Sequence, residues 1–271
     1  MDKLYSIQTS DKVFETGGSR PILVTCNDMN AYVCKYISSS NSVIKLAYEF
    51  IAASFLKLWE LKVPDFALVT ISRDHIPPHF DLRNPNFNIT CFGSKYSRDY
   101  ADMNNFVDLI DPKQRKSYPS RNDLFYISLF DIWLANEDRT HNNYNLLVDI
   151  NNQRNFIPID HDNIFNSRSA GNMIYELTYE DSLVYTPLFR KMFSKKEIIQ
   201  SDKEEIETYF YTFVNHCLEN LVYVISQLPD DWKINKKELE TKMIDEIFNE
   251  AWLKKSFKLL LSFLQYNSNI K

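Results

Sequence analysis

The chain has 271 residues, of which 44% are hydrophobic and 25% charged, and these fractions exclude a disordered or collagen-like protein. With 31 Lys plus Arg against 36 Asp plus Glu, the net charge of -5 provides no global basic field, so we expect no direct nucleic-acid partner and no membrane partner. The four cysteines form no C-x-x-C pair, and an apolar signal segment is not apparent, which indicates a cytoplasmic protein.

The first third of the sequence predicts five short strands and one helix. The β-prone runs bounded by turn residues are 12–15, 22–26, 31–36, 66–72 and 87–93. Gly17-Gly18-Ser19 lies in the connection between the first two runs, and the first three form a meander. Apolar residues at helical spacing predict a helix from Val43 to about Leu58, with Glu49 at the rim of its apolar stripe.

From about residue 97 the pattern becomes helical. Ser120-Arg121-Asn122-Asp123 has the form of a capping box, and residues 124–134 behind it are apolar nearly all round, as in a buried helix. Two strand-like runs follow, at 146–149 and 156–159. One helical segment at 206–225 and two further helical segments over about 236–267 complete the chain. The sequence therefore predicts an α+β protein with a strand-rich lobe at 1–94 and a larger helical lobe at 95–271.

A dense polar run at residues 136–145 follows the predicted buried helix and precedes a strand. Such a run is costly to pack unless it lines a cleft or binds ions. Asp138 stands five residues before Asn143, the spacing of kinase catalytic loops, in which the aspartate orients the acceptor hydroxyl and the asparagine holds Mg²⁺. Asp160, at the end of a later strand-like run, offers a second metal ligand. An ordinary turn rich in Asn and Asp is the alternative.

Three features of the N-terminal lobe occur along the chain in the order that is typical of a nucleotide-binding lobe. The backbone N–H groups of Gly17-Gly18-Ser19 form a turn suited to phosphate. Strand alternation places Lys35 on an inward face, where it needs a counter-charge, and Glu49 on the next helix can provide it. Kinases hold the α- and β-phosphates of ATP with such a pair. Taken singly, each of the two charged residues is also typical of a solvated surface.

Together these segments resemble the HipA-like kinase family. The motifs that carry the resemblance are residues 17–24, 32–35, 136–148 and 159–161. The resemblance covers residues 12–165 well and extends more loosely to 228–232. It implies a two-lobed protein-kinase-like fold, in which a small antiparallel sheet lobe with one helix is followed by a larger, mainly α-helical lobe.

By position, the resemblance implies that Asp138 is the catalytic aspartate and that Asn143 and Asp160 are catalytic residues that bind the metal ion. The residues that it implies for nucleotide binding are Gly17, Gly18, Ser19, Lys35, Glu49 and Phe92. Residues 91–94, at the predicted end of the fifth strand, would form the hinge whose backbone meets adenine.

The sequence leaves the roles of several neighbouring residues open. Asn145 is an alternative to Asn143 as the metal ligand, because both belong to this form of the motif. Asp162 either joins the metal site or caps a turn, and His141 receives no role. Ser19 is either an ordinary turn residue or, as a further hypothesis, a site of autophosphorylation that would compete with ATP.

The resemblance implies that ATP and Mg²⁺ are the cofactors of a phosphotransferase acting on serine or threonine of a protein substrate. Some members of the family are toxins, so an antitoxin is also a predicted partner. The alternatives are a nucleotide-binding pseudokinase that serves as an interaction module, and a small-molecule kinase. The residue types required for catalysis are all present, which argues against the pseudokinase, whereas the sequence does not separate protein from small-molecule substrates.

Overall fold

The computed structural model describes residues 3–14, 20–38, 42–78, 82–151, 154–167 and 173–269. The chain divides into two compact units, each of which is built from three segments. Unit 1 contains Met1–Ser54, Pro64–Arg98 and Tyr223–Lys236, and unit 2 contains Phe55–Val63, Asp99–Val222 and Lys237–Lys271. In the described ranges, we find no helix with the length and apolar character needed to span a membrane.

The strands of unit 1 form a closed barrel instead of the predicted antiparallel sheet. They are β1 (Lys3–Val13), β2 (Ile22–Cys26), β3 (Ala31–Lys35), β4 (Phe66–Thr70) and β5 (Cys91–Lys95). Their order in the barrel is β1-β2-β3-β5-β4. All neighbours are antiparallel except β1 and β4, whose parallel pairing closes the barrel. The predicted antiparallel pairing is therefore right for four of the five neighbouring pairs and wrong for β1 with β4.

Strand β1 begins far earlier than the predicted run at 12–15, and its side chains explain the error. Ser6 is buried at 5% exposure, whereas Tyr5 and Ile7 on the other face are exposed at 57% and 39%. The alternation of apolar and polar residues is thus reversed, so that the usual inward apolar pattern of a strand is missing. Strand β2 has the predicted bounds, and β3 ends one residue before the predicted position.

Strand β5 begins at Cys91, four residues after the predicted start, because Asn84–Phe87 forms a 3₁₀ turn with Pro85 near its beginning. The interior of the barrel is a continuous apolar cluster of Ile22, Val24, Cys26, Tyr32, Cys34, Tyr36, Ala67, Val69, Ile71, Phe87 and Cys91. Gly93 lies on β5 where an added Cβ would stand 2.9 Å from Val69 Cγ2. The close packing of β4 and β5 therefore requires glycine at this position.

Unit 1 also contains a segment from near the C-terminus, which holds the start of β5. In a 3₁₀ turn at Asp230–Trp232, the Asp231 carboxylate accepts hydrogen bonds from the backbone N–H of Thr90 at 2.7 Å and from its hydroxyl at 2.8 Å. The indole N–H of Trp232 donates to the Thr90 carbonyl at 2.7 Å. Two residues therefore satisfy all the polar groups of Thr90, directly before the strand.

Helix α1 (Val43–Leu58) is the helix predicted after the first three strands, and the boundary between the units falls within it. The other helices and strands lie mainly in unit 2: β6 (Tyr100–Asp102), α2 (Met103–Phe106), α3 (Asp123–Trp133), β7 (Leu146–Asp149), β8 (Phe156–Pro158), α4 (Pro187–Met192), α5 (Lys195–Ile199), α6 (Lys203–Ser226), α7 (Lys236–Glu246) and α8 (Glu250–Asn269). Strands β6, β7 and β8 form a small antiparallel sheet. Of these strands, the sequence did not predict β6.

Helix α3 is the predicted buried helix, and all its residues except Asp123 and Tyr126 are buried. Trp59 and Trp133 stack at 5.6 Å in the aromatic core of unit 2. The predicted capping box before α3 was wrong, because Ser120 lies in a 3₁₀ turn and its hydroxyl donates to the Arg154 carbonyl. The continuous apolar run thus located the helix, whereas Ser120 before it is used for a tertiary contact.

Asp231→Ala is expected to lower the free energy of unfolding by about 1–3 kcal/mol, because the buried N–H and hydroxyl of Thr90 lose their acceptor. Urea denaturation followed by tryptophan fluorescence measures this change. Asp230→Ala is the matched control, since Asp230 is exposed and pairs with Lys236 at the surface, so the midpoint should stay unchanged. Equal losses in the two variants would contradict the role given to Asp231.

Candidate active site

A buried ion pair joins helix α3 to the polar loop that follows it. The side chain of Arg139 is 0% exposed, and its Nε donates to Asp131 Oδ2 at 2.6 Å. Asn136 Nδ2 donates to the other carboxylate oxygen at 2.8 Å. Burial raises the pKa of the Asp131 carboxyl, and the Arg139 charge and the Asn136 hydrogen bond oppose that rise. The loop is thereby fixed to a rigid helix.

The same guanidinium group also binds two backbone segments. Its Nη1 donates to the carbonyls of Tyr144 and Asn145, and its Nη2 donates to the carbonyl of Ile159 at 3.4 Å. Nη2 also lies 2.9 Å from Nε2 of His161. Because arginine only donates hydrogen bonds, His161 Nε2 is the acceptor. Arg139 therefore anchors both the loop before β7 and the segment after β8.

Asp138 projects from this anchored loop and is partly exposed. Its Oδ2 accepts hydrogen bonds from Asn145 Nδ2 at 3.0 Å and from Asn163 Nδ2 at 3.1 Å. These two amides fix the orientation of the carboxylate. Asn163 did not emerge from the sequence, because it stands 25 residues from Asp138 in a turn that matches no motif used there.

Oxygen ligands for a metal ion lie in the same unit. Asp160 and Asp162 each offer a carboxylate oxygen, and these two atoms lie within 4.8 Å of one another. Asp162 is buried at 8% exposure. Carboxylate and amide oxygens are ligands that suit Mg²⁺. The structure therefore brings Asp162 next to Asp160, which favours the metal-site alternative for Asp162 over a simple turn cap.

The two candidate asparagines have different surroundings. Asn143 forms a backbone bridge with Thr140, in which the Thr140 N–H donates to the Asn143 carbonyl at 2.9 Å. Asn145 is buried at 8% exposure, and its amide N–H group points at Asp138, as described above. A donated amide N–H group leaves the amide oxygen Oδ1 available to a metal ion. This geometry favours Asn145.

In unit 1, Lys35 and Glu49 form an ion pair, with side chains 11% and 5% exposed. The sequence had placed Glu49 at the rim of the apolar stripe of α1, but it is buried. A buried carboxylate of this kind requires a cation, and Lys35 on β3 supplies it. The structure thus brings together the two charged residues that were predicted to interact.

The predicted hinge residues 91–94 begin the fifth strand, whereas the sequence had placed them at its end. These residues lie within β5, where they pair with β3 on one side and with β4 on the other. The ring of Phe92 is buried and lies 5.8 Å from that of Phe66. Their backbone groups pair in the barrel, and the N–H of Tyr96 after the strand also donates, to the Ala31 carbonyl at 2.8 Å. The adenine-binding role of residues 91–94 stays a prediction.

Gly17, Gly18 and Ser19, the predicted phosphate loop, lie outside the described residues. His141 is exposed, and its ring contacts that of Tyr185 edge-on at 5.8 Å. His141 therefore lies on the surface of the loop that carries Asp138.

Among solved structures, the chain is similar to the proinflammatory kinase CtkA from Helicobacter pylori, with a TM-score of 0.55 and 12% identity over 96% of each chain. At this identity the similarity shows the fold alone. A Golgi casein kinase with Mn/ADP bound gives a TM-score of 0.39 at 11% identity, over 98% of this chain and 72% of that one. HipA of the Shewanella oneidensis MR-1 toxin–antitoxin system gives 0.29 at 12% identity, over 94% and 62%. The last two scores are too low to support an argument.

No curated protein matches the chain. The family model described as HipA-like kinase matches residues 7–256, which is most of the chain. The match includes β2, β3, α1 and the loop that carries Asp138 and Arg139. The chain therefore belongs to the HipA-like kinase family.

Proposed function

We propose that this kinase transfers the γ-phosphoryl group of ATP, with Mg²⁺, to a serine or threonine hydroxyl of a protein. The observation that supports this most strongly is the Asp138 carboxylate, which two amides hold in one orientation. Phosphoryl transfer depends mainly on positioning and on charge stabilisation. A carboxylate fixed in this way is suited to accept the proton of an attacking hydroxyl group.

The metal ligands in this proposal are Asp160, Asp162 and Asn145, with Asn143 as the alternative to Asn145. A bound Mg²⁺ would neutralise the negative charge of the phosphate oxygens. The contribution of the protein is to hold these oxygen atoms close together before the ion arrives. Arg139 does so indirectly, since it binds the backbone carbonyls of Asn145 and Ile159.

Lys35 is proposed to contact the α- and β-phosphates, with Glu49 holding its ammonium group in place. Gly17, Gly18 and Ser19 keep their predicted role in phosphate binding, and residues 91–94, which include Phe92, stay the candidate hinge for adenine together with 96–98 after β5. Protein serine or threonine as the acceptor, and an antitoxin as a partner, follow from the family resemblance alone.

Asp138→Ala and Asp160→Ala are each expected to lower phosphoryl transfer by about 10³-fold or more, because each removes a group that acts on the reacting atoms. The measurement is transfer of labelled γ-phosphate from Mg²⁺–ATP to the chain itself and to proteins of a host lysate. Asp108→Ala, which removes an exposed carboxylate in the same unit, should retain activity. Label confined to small metabolites would indicate a small-molecule kinase, and full activity of Asp138→Ala would disprove the assignment.

Asn145→Ala is expected to raise the Mg²⁺ concentration for half-maximal activity about tenfold or more, and Asn143→Ala by much less. The reason is that the Asn143 contacts described above are made by its backbone, which alanine preserves. A Mg²⁺ titration of phosphoryl transfer at saturating ATP measures both values. A larger effect of Asn143→Ala would assign the metal to Asn143 instead.

Lys35→Met is expected to lower kcat/KM for ATP about 100-fold, because the cation for the phosphates is lost while the apolar stem is kept. Lys35→Arg should not restore it, since a guanidinium differs in shape and hydration from an ammonium. Lys62→Met is a suitable control: it also breaks an ion pair with a buried carboxylate, that of Asp149, outside the proposed site. Steady-state kinetics and thermal unfolding of the three variants would separate lost catalysis from lost stability.

A further inference from the structure

The turn after Asp162 has an unusual backbone that is fixed by hydrogen bonds to the end of α3. Phe165, Asn166 and Ser167 have φ values of 58°, 51° and 57°, in the left-handed region. This region is disfavoured for residues that carry a Cβ atom. The Phe165 N–H donates to the Leu134 carbonyl at 2.8 Å, and that of Asn166 donates to Ala135 at 2.9 Å. These bonds hold the turn in its strained form.

The strained turn brings Ser167 back onto Asn163. The Ser167 hydroxyl donates to Asn163 Oδ1 at 3.1 Å, and its backbone N–H donates to the Asn163 carbonyl at 3.2 Å. The Asp138 oxygen accepts from Nδ2 and so selects the amide orientation, whereas the Ser167 hydroxyl, which can donate or accept, restrains the other end of the amide. The opposite orientation would put the amide oxygen against the Asp138 carboxylate and would be repulsive.

We infer that Asn163 is a positioning residue for Asp138, and that Ser167 restrains the Asn163 side chain through its far end. Two hydrogen bonds connect these side chains: the Ser167 hydroxyl bonds to Asn163 Oδ1, and Asn163 Nδ2 donates to Asp138 Oδ2. This inference rests on the proposed function, because it requires Asp138 to be the group that orients the acceptor hydroxyl. It adds two residues that act on the reaction only through Asp138.

Steady-state kinetics of Asn163→Leu test the first step, since leucine keeps the approximate shape but has no amide. We expect kcat to fall about 10- to 100-fold, with KM for Mg²⁺–ATP changed less than about twofold, because positioning of the acceptor is lost and nucleotide binding is kept. The readout is the rate of ADP release, with lysate protein or water as the acceptor of the phosphoryl group. Asn163→Asp, which puts a second carboxylate next to Asp138, should lower kcat further.

Ser167 variants test the second step. Ser167→Ala removes the hydroxyl donor and is expected to lower kcat about three- to tenfold, less than Asn163→Leu, because the amide is still present. Ser167→Thr keeps the hydroxyl and should retain a kcat near that of the native chain. Equal activity of Ser167→Ala and the native chain would remove Ser167 from the inference.

A double-mutant cycle distinguishes positioning from a general structural effect. If Asn163 acts through Asp138, Asn163→Leu should cause no further loss in the residual activity of Asp138→Ala. Asn151→Ala is the matched control, because it also removes an amide that donates to a carboxylate, that of Asp99, at the surface of unit 2. It should leave kcat unchanged.

The outcomes separate the two levels of the argument. No ATP turnover by the native chain would overturn the proposed function and this inference with it. Turnover by the native chain together with an unchanged kcat for Asn163→Leu would overturn the inference alone. A loss in Asn163→Leu that persists in the Asp138→Ala background would also overturn it, since Asn163 would then act elsewhere.

Discussion

The ion pair between Asp131 and Arg139 is the contact on which the candidate site depends most. A buried guanidinium is stable only when its N–H groups all find acceptors, and breaking a buried pair typically costs about 3–5 kcal/mol. Arg139 finds a carboxylate on α3, three backbone carbonyls and a nitrogen of His161. The need to satisfy one buried cation therefore fixes the path of two separate backbone segments at once.

This anchor explains how the chain tolerates strain at the proposed metal ligands. Asn145 and Asp160 have φ values of 44° and 59°, a region that is costly for residues with a side chain. In both cases Arg139 binds a carbonyl within one residue of the strained position. Strain at functional residues persists when the surroundings determine the backbone more strongly than local preference does. The left-handed conformations turn these two side chains out of the regular strand pattern.

The sequence allowed prediction of those parts that depend on local periodicity or on spacing along the chain. Helix α1, strand β2 and the pairing of Lys35 with Glu49 are of this kind. Strand β1 could not be predicted, because its buried face carries Ser6, whose hydroxyl bonds with His75 and with the backbone of Ser72. The closure of the barrel was missed for the same reason, since it depends on the pairing of β1 with β4 at Lys3, Leu4 and Tyr5, next to Ser6.

The position of Asn163 beside Asp138 depends on neither periodicity nor spacing, but on hydrogen bonds from a strained turn to the end of α3. Such bonds join residues far apart in the sequence and follow no local pattern.

The buried charges of the chain bear on whether it is a kinase or an interaction module. Ion pairs buried in a purely structural core are often replaceable by apolar residues with no loss of stability, or with a gain. The chain nevertheless keeps Lys35 with Glu49 and holds Asp138 partly exposed between two amides. An interaction module gains nothing from such costly polar groups, whereas phosphoryl transfer requires them in fixed positions.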